Sequence, residues 1–280
     1  MAADRQALRR PGGLLLTAGK VWAVLCITLR SRLAYVGELL LRTLFLILIL
    51  FTFTQLWHAT NLGKNVLVAT GFTIQELIWY LVFTEALMLS AANAREIEVD
   101  SEVRSGDIAY RLGRPLPYPL FHLGARLGER LLRFGLYLLV GMVVALVVVG
   151  PIQLSLAGLW LSCSVALVSF VGDWIWTFAI SVTSFWIEDT FGLHLLYRRA
   201  LMILGGMLIP LSAYPEWLGH IARALPFQYL VYYPARLFVH PDGQVWLLAL
   251  GANLAIALAG LLPLLVIYRI GLRFVSTQGG

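Results

Sequence analysis

The longest uncharged stretch of the chain runs from Phe134 to Gly172, 39 residues without an Asp, Glu, Lys or Arg. A helix crosses the hydrocarbon of a bilayer in about 20 residues, so this stretch is long enough for two crossings. Gly150, Pro151 and Gln153 interrupt it near its middle and predict the connecting turn. A soluble domain has about 25% charged residues, whereas this chain has 13%. The sequence therefore predicts an all-α polytopic membrane protein.

Other apolar runs extend this prediction to six transmembrane helices. The stretch from Ala200 to Pro215 has only 16 uncharged residues, about 24 Å of helix, which is short for a span. Residues 14–32 are predicted to form an amphipathic helix in the membrane interface, and residues 214–242 a re-entrant extracellular helical hairpin between spans five and six. The spans are predicted at about residues 35–57, 66–92, 130–150, 154–186, 198–213 and 244–268.

The distribution of positive charge predicts the orientation. Of the 21 Lys and Arg residues, 17 fall in the N-terminal stretch, in residues 95–133, at Arg198 and Arg199, and just after the last span. Three fall on the opposite side, and Arg42 lies near the start of span one. Positive charge marks the cytoplasmic side, so both termini are predicted to be cytoplasmic. The net charge of +6 is explained by this topology and by membrane lipids, without a nucleic-acid partner.

Residues 93–121 form the largest predicted cytoplasmic loop. Charges of both signs alternate there with apolar residues, and Gly106 and Gly113 divide the segment. Pro115, Pro117 and Pro119 predict an extended arm at its end. A short amphipathic helix of this kind suits docking into a groove on another protein, with apolar anchors and charges that set the register. The alternative is a solvated connector.

Three strings resemble the permease subunits of type-2 ATP-binding-cassette exporters. "EVRSGDIAYRLGRPLPYPLFHLGARLGERL" (102–131) is similar to their loop between spans two and three, where a coupling helix docks on the ATPase. "GGMLIPLSAYPEWLGHIARALPFQYLVYYPARLF" (205–238) is similar to their segment between spans five and six, and "FWIED" (185–189) to the inner end of span four. The resemblance is closest to the drug or viologen export branch. The acidic run through Glu102 is denser than in that family.

The resemblance implies a single transmembrane permease domain, residues 1–280, in a bacterial plasma membrane. It implies a second permease, identical or related, and two ATPase subunits that carry the ATP and Mg²⁺. This chain itself is expected to bind no cofactor and to catalyse no reaction. The cargo is expected to be amphipathic or lipophilic, exported by alternating access. The expected ATPase-coupling residues are Glu102, Val103, Arg104, Ser105, Gly106, Asp107, Ile108, Tyr110 and Arg111.

Candidate residues of a substrate path come from the predicted spans. Carboxylates within spans are costly and carry a functional expectation, and apolar or aromatic side chains suit a lipophilic cargo, although ordinary packing explains them equally. The candidates are Trp79, Phe83, Glu85, Asp173, Met202 and Met207. Asp173 could pair with Arg42 or extend towards the interface. The expected extracellular gate comprises Pro210, Pro215, Trp217, Pro226 and Phe227, with the fifth helix ending at Pro210.

Catalytic and metal-binding motifs are missing from the sequence. The stretch around Lys20 lacks the first glycine of a phosphate loop and has Val21 where Ser or Thr is needed. The five histidines have no metal-ligand spacing. Two alternatives remain. An ion-coupled secondary transporter would work without an ATPase and use an acid such as Asp173. A membrane-embedded lipid enzyme would need a cluster of acids or histidines at one interface.

Overall fold

The structure, a computed structural model, describes residues 13–32, 36–59, 71–91, 99–152, 155–187 and 189–278. Every regular element in these ranges is helical, and no strand occurs among them. This confirms the predicted all-α class. The predicted turn residue Gln153 and the start of the predicted second span lie outside the described residues. Gly150 has a φ of +82°, the left-handed conformation that glycine adopts readily and that a tight turn requires.

Twelve α-helices and two 3₁₀ turns occur within the described ranges. The turns are Thr183–Phe185 and Leu211–Ala213. The helices are α1 (Gly13–Arg32), α2 (Val36–Ala59), α3 (Ile74–Ser90), α4 (Val99–Ser105), α5 (Asp107–Leu112), α6 (Tyr118–Val148), α7 (Leu156–Val182), α8 (Phe191–Leu204), α9 (Glu216–Ala224), α10 (Phe227–Leu230), α11 (Tyr232–Val239) and α12 (Gly243–Gln278).

Three helical segments of the described chain are long and apolar enough to cross a bilayer. They are Tyr118–Val148, Leu156–Phe185 and Gly243–Arg273. Leu41–Trp57 is apolar but shorter. The chain is therefore a multi-pass membrane protein, while the arrangement of six spans and the re-entrant hairpin stay predictions.

Two helix boundaries differ from the sequence-based expectation. Helix α6 begins at Tyr118, so the extended arm predicted through Pro119 is wrong. A proline in the first turn loses no helical hydrogen bond, because its missing N–H would have had no partner there. Helix α8 ends at Leu204, six residues before the predicted end at Pro210. Gly206, with a φ of +72°, lies in the irregular stretch that follows.

Helix α1 packs closely against α6 because α6 has glycines at the contact. A Cβ atom built on Gly124 would lie 2.9 Å from the carbonyl oxygen of Val21, and one on Gly128 would lie 2.5 Å from that of Leu25. Small residues four apart allow two helix backbones to approach in this way. Farther along α6, Gly141 faces Val82 of α3 with a built Cβ only 2.7 Å from its methyl carbon.

The centre of the bundle is α3, which lies between α6 and α11. Phe83 of α3 contacts Phe134 of α6, with ring centroids 5.5 Å apart, and Phe238 of α11, with centroids 5.0 Å apart. Helix α11 also packs on α7, and α7 packs along α12. A second apolar core lies where α4 and α5 meet the ends of α6, α7 and α12, around Val99, Ile108, Tyr118 and Phe178.

Candidate functional site

Helices α4 and α5 form a compact helical pair at one end of the bundle. Gly106 joins them with a φ of +77°, a conformation that costs other residues energy. The inner face of the pair is apolar: Val99 and Ile108 are buried in the core beside Tyr118. The apolar residues of this segment therefore face the helix bundle, and most of the charged residues that alternate with them in the sequence face away from it.

The outer face of this pair is polar and accessible. Tyr110 is 74% exposed, and the guanidinium of Arg114 lies 5.2 Å from its ring centre. Ser105 donates a hydrogen bond to the Asp107 carboxylate at 2.9 Å. We call the exposed residues Arg104, Ser105, Asp107, Tyr110 and Arg114 the docking face.

Glu102, an expected coupling residue, is buried on the inner side of the pair. Its carboxylate accepts a 2.6 Å hydrogen bond from the Tyr118 hydroxyl and lies 3.1 Å from Arg111 and 3.5 Å from His122. Burial alone would raise the pKa of the Glu102 carboxyl. The nearby His122 imidazole, the hydrogen bond from Tyr118 and the Arg111 charge hold that pKa below its ordinary value of 4.5.

Asp100 connects the same pair to α8. Its carboxylate accepts hydrogen bonds from the backbone N–H of Thr190 at 2.9 Å and from the Thr190 hydroxyl at 2.7 Å. Thr190 directly precedes α8. Of the acidic run that ends at Glu102, Asp100 and Glu102 thus contact the bundle, and Glu96 and Glu98 lie outside the described residues. Asp107, which follows this run, belongs to the docking face. Val103 and Arg111 are half-buried between the two faces.

Asp173 lies buried where α6, α7 and α8 meet. Its carboxylate is ion-paired with Arg130 of α6 and accepts a 2.8 Å hydrogen bond from the Tyr197 hydroxyl of α8. Arg42 instead donates to the carbonyl oxygen of Leu89 at 3.4 Å. Arg130 and Tyr197 were not among the predicted site residues. Arg130 and Asp173 are 43 positions apart in the sequence, so no local pattern reveals the pair.

Three predicted path residues lie in the interior of the chain itself. Trp79, Phe83 and Glu85 of α3 are fully buried. The indole N–H of Trp79 donates to the carbonyl oxygen of Gly150 at 3.1 Å. Both carboxylate oxygens of Glu85 are buried without a hydrogen-bond partner among the described residues.

The remaining path residues meet the predicted gate where α8 ends. Met202 and Met207 pack with Phe227 in one apolar cluster. The Phe227 ring also lies 6.1 Å from that of Tyr197, the partner of Asp173. These contacts bring together residues that are distant in sequence.

The other gate residues lie at helix starts. Pro210 is buried ahead of the second 3₁₀ turn, and Pro215 and Pro226 directly precede α9 and α10. Trp217 is 66% exposed. An exposed tryptophan near the start of a short helix suits a membrane interface.

Side chains of α3 satisfy the backbone freed by the early end of α8. The Tyr80 hydroxyl donates to the carbonyl oxygen of Gly206, and the Thr84 hydroxyl donates to that of Met207 at 2.8 Å. A buried backbone carbonyl outside a regular helix is costly without such a partner. The contacts tie α3 to the segment between α8 and α9.

Among the described residues, no group of three or more His, Cys, Asp or Glu side chains is placed to hold a metal ion. A family model described as ABC-2 family transporter protein matches residues 44–279. Neither the curated proteins nor the solved structures contain a match to the chain.

Proposed function

The chain belongs to the ABC-2 transporter family, and from this premise we propose that it is the membrane-spanning half of an ATP-driven exporter. The family is one of membrane permeases that work with ATP-binding-cassette subunits. Membership favours this function over an ion-coupled carrier or a lipid enzyme. We propose further that two ATPase subunits and a second permease complete the assembly in a bacterial plasma membrane, with both termini in the cytoplasm.

The observation that carries the proposal is the two-faced α4–α5 pair. Its docking face is free for an ATPase, while its inner face is bonded to two long elements, to α6 through Glu102 and to α8 through Asp100. A displacement of the pair by the ATPase would therefore act on both helices. ATP binding would shift the equilibrium between inward-open and outward-open states, because the ATPase dimer binds the two states differently.

The contacts at the C-terminal end of α8 support a role for the hairpin as a gate. Phe227 packs on Met202 and Met207, and on Tyr197, the partner of Asp173. A displacement of α8 would therefore change the contacts of the hairpin. We propose that an amphipathic or lipophilic cargo moves between two permeases and leaves when these contacts open.

The test is association of the purified chain with a candidate ATP-binding-cassette ATPase from the same organism. Tyr110→Ala removes the largest side chain of the docking face, and a buried tyrosine at an interface typically contributes about 2 kcal/mol or more. We expect the dissociation constant to rise roughly thirtyfold, and ATP hydrolysis stimulated by the permease to fall with it. The double variant Arg104→Glu, Asp107→Lys reverses both charges of the same face and is expected to weaken association as well.

The matched control is Arg223→Glu, a charge reversal at an exposed position of α9 that is not part of the docking face. It should leave association unchanged. Unaltered binding and hydrolysis in Tyr110→Ala and in the double variant, with correct folding, would refute the proposed docking.

A further inference from the structure

An open pocket lies at the end of the bundle opposite α4 and α5. Helix α6 meets that pair at its first residue, Tyr118. Just past the other end of α6, the carbonyl oxygen of Val149 accepts a 2.9 Å hydrogen bond from the Gln75 side chain in the first turn of α3. The pocket adjoins this start of α3 and has a volume of about 350 Å³, within the range of about 300–1,000 Å³ typical of small-molecule sites. Its described lining residues are Gly71, Phe72, Ser212, Tyr232, Arg236 and His240.

One face of α11 forms the polar side of this pocket. Tyr232, Arg236 and His240 follow one another at intervals of four residues, so they share one face of the helix. The backbone N–H of His240 donates to the carbonyl oxygen of Arg236 at 2.7 Å, which continues the last helical turn to His240. The Phe72 ring lies edge-on to the His240 ring, with centroids 4.8 Å apart. The pocket therefore combines one guanidinium with several aromatic rings.

Arg236 is a half-buried cation without a carboxylate partner. Its charge acts on the hydroxyl groups of Tyr232 and Tyr233, and within the part of the chain that the structure describes it forms no ion pair. A guanidinium has five N–H donors, and two neighbouring tyrosines leave most of them available to another acceptor.

The carboxylates on this side of the chain are occupied or exposed elsewhere. Glu76 lies 3.4 Å from the Nε2 atom of His240, and Asp242 accepts hydrogen bonds from backbone N–H groups at the start of α12. Glu216 is exposed at the start of α9. Residues 60–70, which precede the pocket in the chain, contain no Asp or Glu. The charge of Arg236 is thus left to solvent or to a bound anion.

We propose that this pocket binds the oxyanion end of an amphipathic acid, with the oxyanion on Arg236 and the apolar part against the rings of Phe72 and Tyr232. The planar guanidinium presents its donors in a geometry that matches carboxylate and phosphate oxygens. Aromatic rings offer a large apolar contact surface to the rest of the ligand. The acid can be a lipid or a soluble molecule, and the chemistry of the site is the same for both. The inference concerns binding alone and does not depend on ATP-driven transport.

The test uses the purified full chain in a zwitterionic detergent. Thermal unfolding is followed while one of three probes is added at constant ionic strength: inorganic phosphate, phenyl phosphate or short-chain phosphatidylglycerol. Arg236→Gln removes the guanidinium from the pocket. Arg223→Gln is the matched control, because Arg223 is an exposed arginine of the same predicted extracellular segment and does not line the pocket.

We expect phenyl phosphate or phosphatidylglycerol to raise the unfolding temperature of the wild type and of Arg223→Gln, since a ligand that binds the folded state stabilises it. Inorganic phosphate should require a higher concentration, because it makes no contact with the rings. The apparent affinity should fall about tenfold or more in Arg236→Gln, which corresponds to about 1.4 kcal/mol and is near the lower end of what a hydrogen bond to a charged group contributes.

The pattern of responses identifies the source of the oxyanion. A response to phenyl phosphate alone indicates a soluble acid, and a response to phosphatidylglycerol alone indicates a lipid. A response to both shows that an oxyanion with any apolar body is accepted. Each of these results supports the site when Arg236→Gln weakens it.

Three results overturn the proposal. The first is stabilisation that is equal in the wild type and Arg236→Gln. The second is no response to either organic probe, as expected if Arg236 serves only to stabilise the C-terminal end of α11, where a cation is favourable. The third is inorganic phosphate that binds as tightly as the organic probes, because the rings would then contribute nothing. If Arg236→Gln does not fold, Arg236→Lys keeps the charge and removes the planar fork, and the same loss of affinity is expected.

Discussion

Replacing Gly128 with alanine tests the close contact between α1 and α6. The added Cβ would lie 2.5 Å from the Leu25 carbonyl oxygen and 3.1 Å from its Cα. Both are backbone atoms of a helix, so no side-chain rotation can relieve the overlap. To reach an ordinary contact distance of 3.4 Å, α1 would have to move about 0.9 Å away from α6.

The energetic result is the difference of two effects. Overpacking of this kind costs about 1–3 kcal/mol, and a clash between two backbones places Gly128→Ala at the upper end. Alanine also favours the helix over glycine by about 1 kcal/mol. The net loss is therefore about 2 kcal/mol. At about 2–4 °C per kcal/mol for a chain of this size, the unfolding temperature should fall by about 4–8 °C.

Two other glycines of α6 make the prediction a graded series. At Gly124 the built Cβ lies 2.9 Å from the Val21 carbonyl oxygen, so the milder overlap and the helix preference should nearly cancel. At Gly135 nothing lies within 4 Å, so alanine there should raise the unfolding temperature by about 2–4 °C.

The assay is thermal unfolding of the three purified variants in one detergent, followed by circular dichroism. The stability order should be Gly135→Ala, then the wild type and Gly124→Ala together, then Gly128→Ala. If Gly128→Ala is as stable as Gly135→Ala, α1 does not pack on α6 at this distance, and the reasoning is refuted.

Three further outcomes are expected. Asp173→Asn leaves Arg130 without its counter-charge and should lower the free energy of unfolding by about 3–5 kcal/mol. Adding Arg130→Met should restore most of this stability in thermal unfolding. If the double variant is no more stable than Asp173→Asn, the two side chains are not coupled. Thr73→Ala removes the hydroxyl that accepts a hydrogen bond from the Glu76 backbone N–H, and the helix should lose about 1 kcal/mol of stability. Amide hydrogen exchange should become faster in the first turn of α3 and stay unchanged in its last turn. Because the pKa of Glu102 is lowered in the folded state, the stabilisation by this carboxylate is complete above the ordinary carboxyl pKa and is lost as pH falls through the folded value. The difference in unfolding temperature between the wild type and Glu102→Gln should therefore become smaller below about pH 4.5. A difference that does not change with pH would contradict this.

Much of the architecture could be predicted from local properties of the chain. Hydropathy over a window of residues is a property of that segment alone, so it located the long apolar helices and the polar segment between α3 and α6. The turn at Gly150 followed from residue type. The start of α6 did not, because proline is tolerated equally in an extended arm and in the first turn of a helix.

The partners of the candidate residues depended on the tertiary structure. The acidic run predicted a charged docking segment, yet only the packing of α4 and α5 shows that Asp100 and Glu102 contact Thr190 and Tyr118 while Tyr110 faces outward. The spacing of Gly124 and Gly128 is visible in the sequence, but the identity of the helix opposite them is not. Asp173 could be recognised as a carboxylate within a span, whereas its pairing with Arg130 could not.

The physical reason is the range over which each kind of information acts. The free energy of transferring a helix into a membrane is, to a first approximation, the sum of the contributions of its own residues, and all of these residues are known from the sequence. An ion pair, a helix–helix contact or a cavity depends on which faces of distant helices meet, and many pairings of these helices would satisfy the same hydropathy. Only the packed bundle selects one of them, and with it the docking face and the contacts of Phe227 with Met202 and Met207.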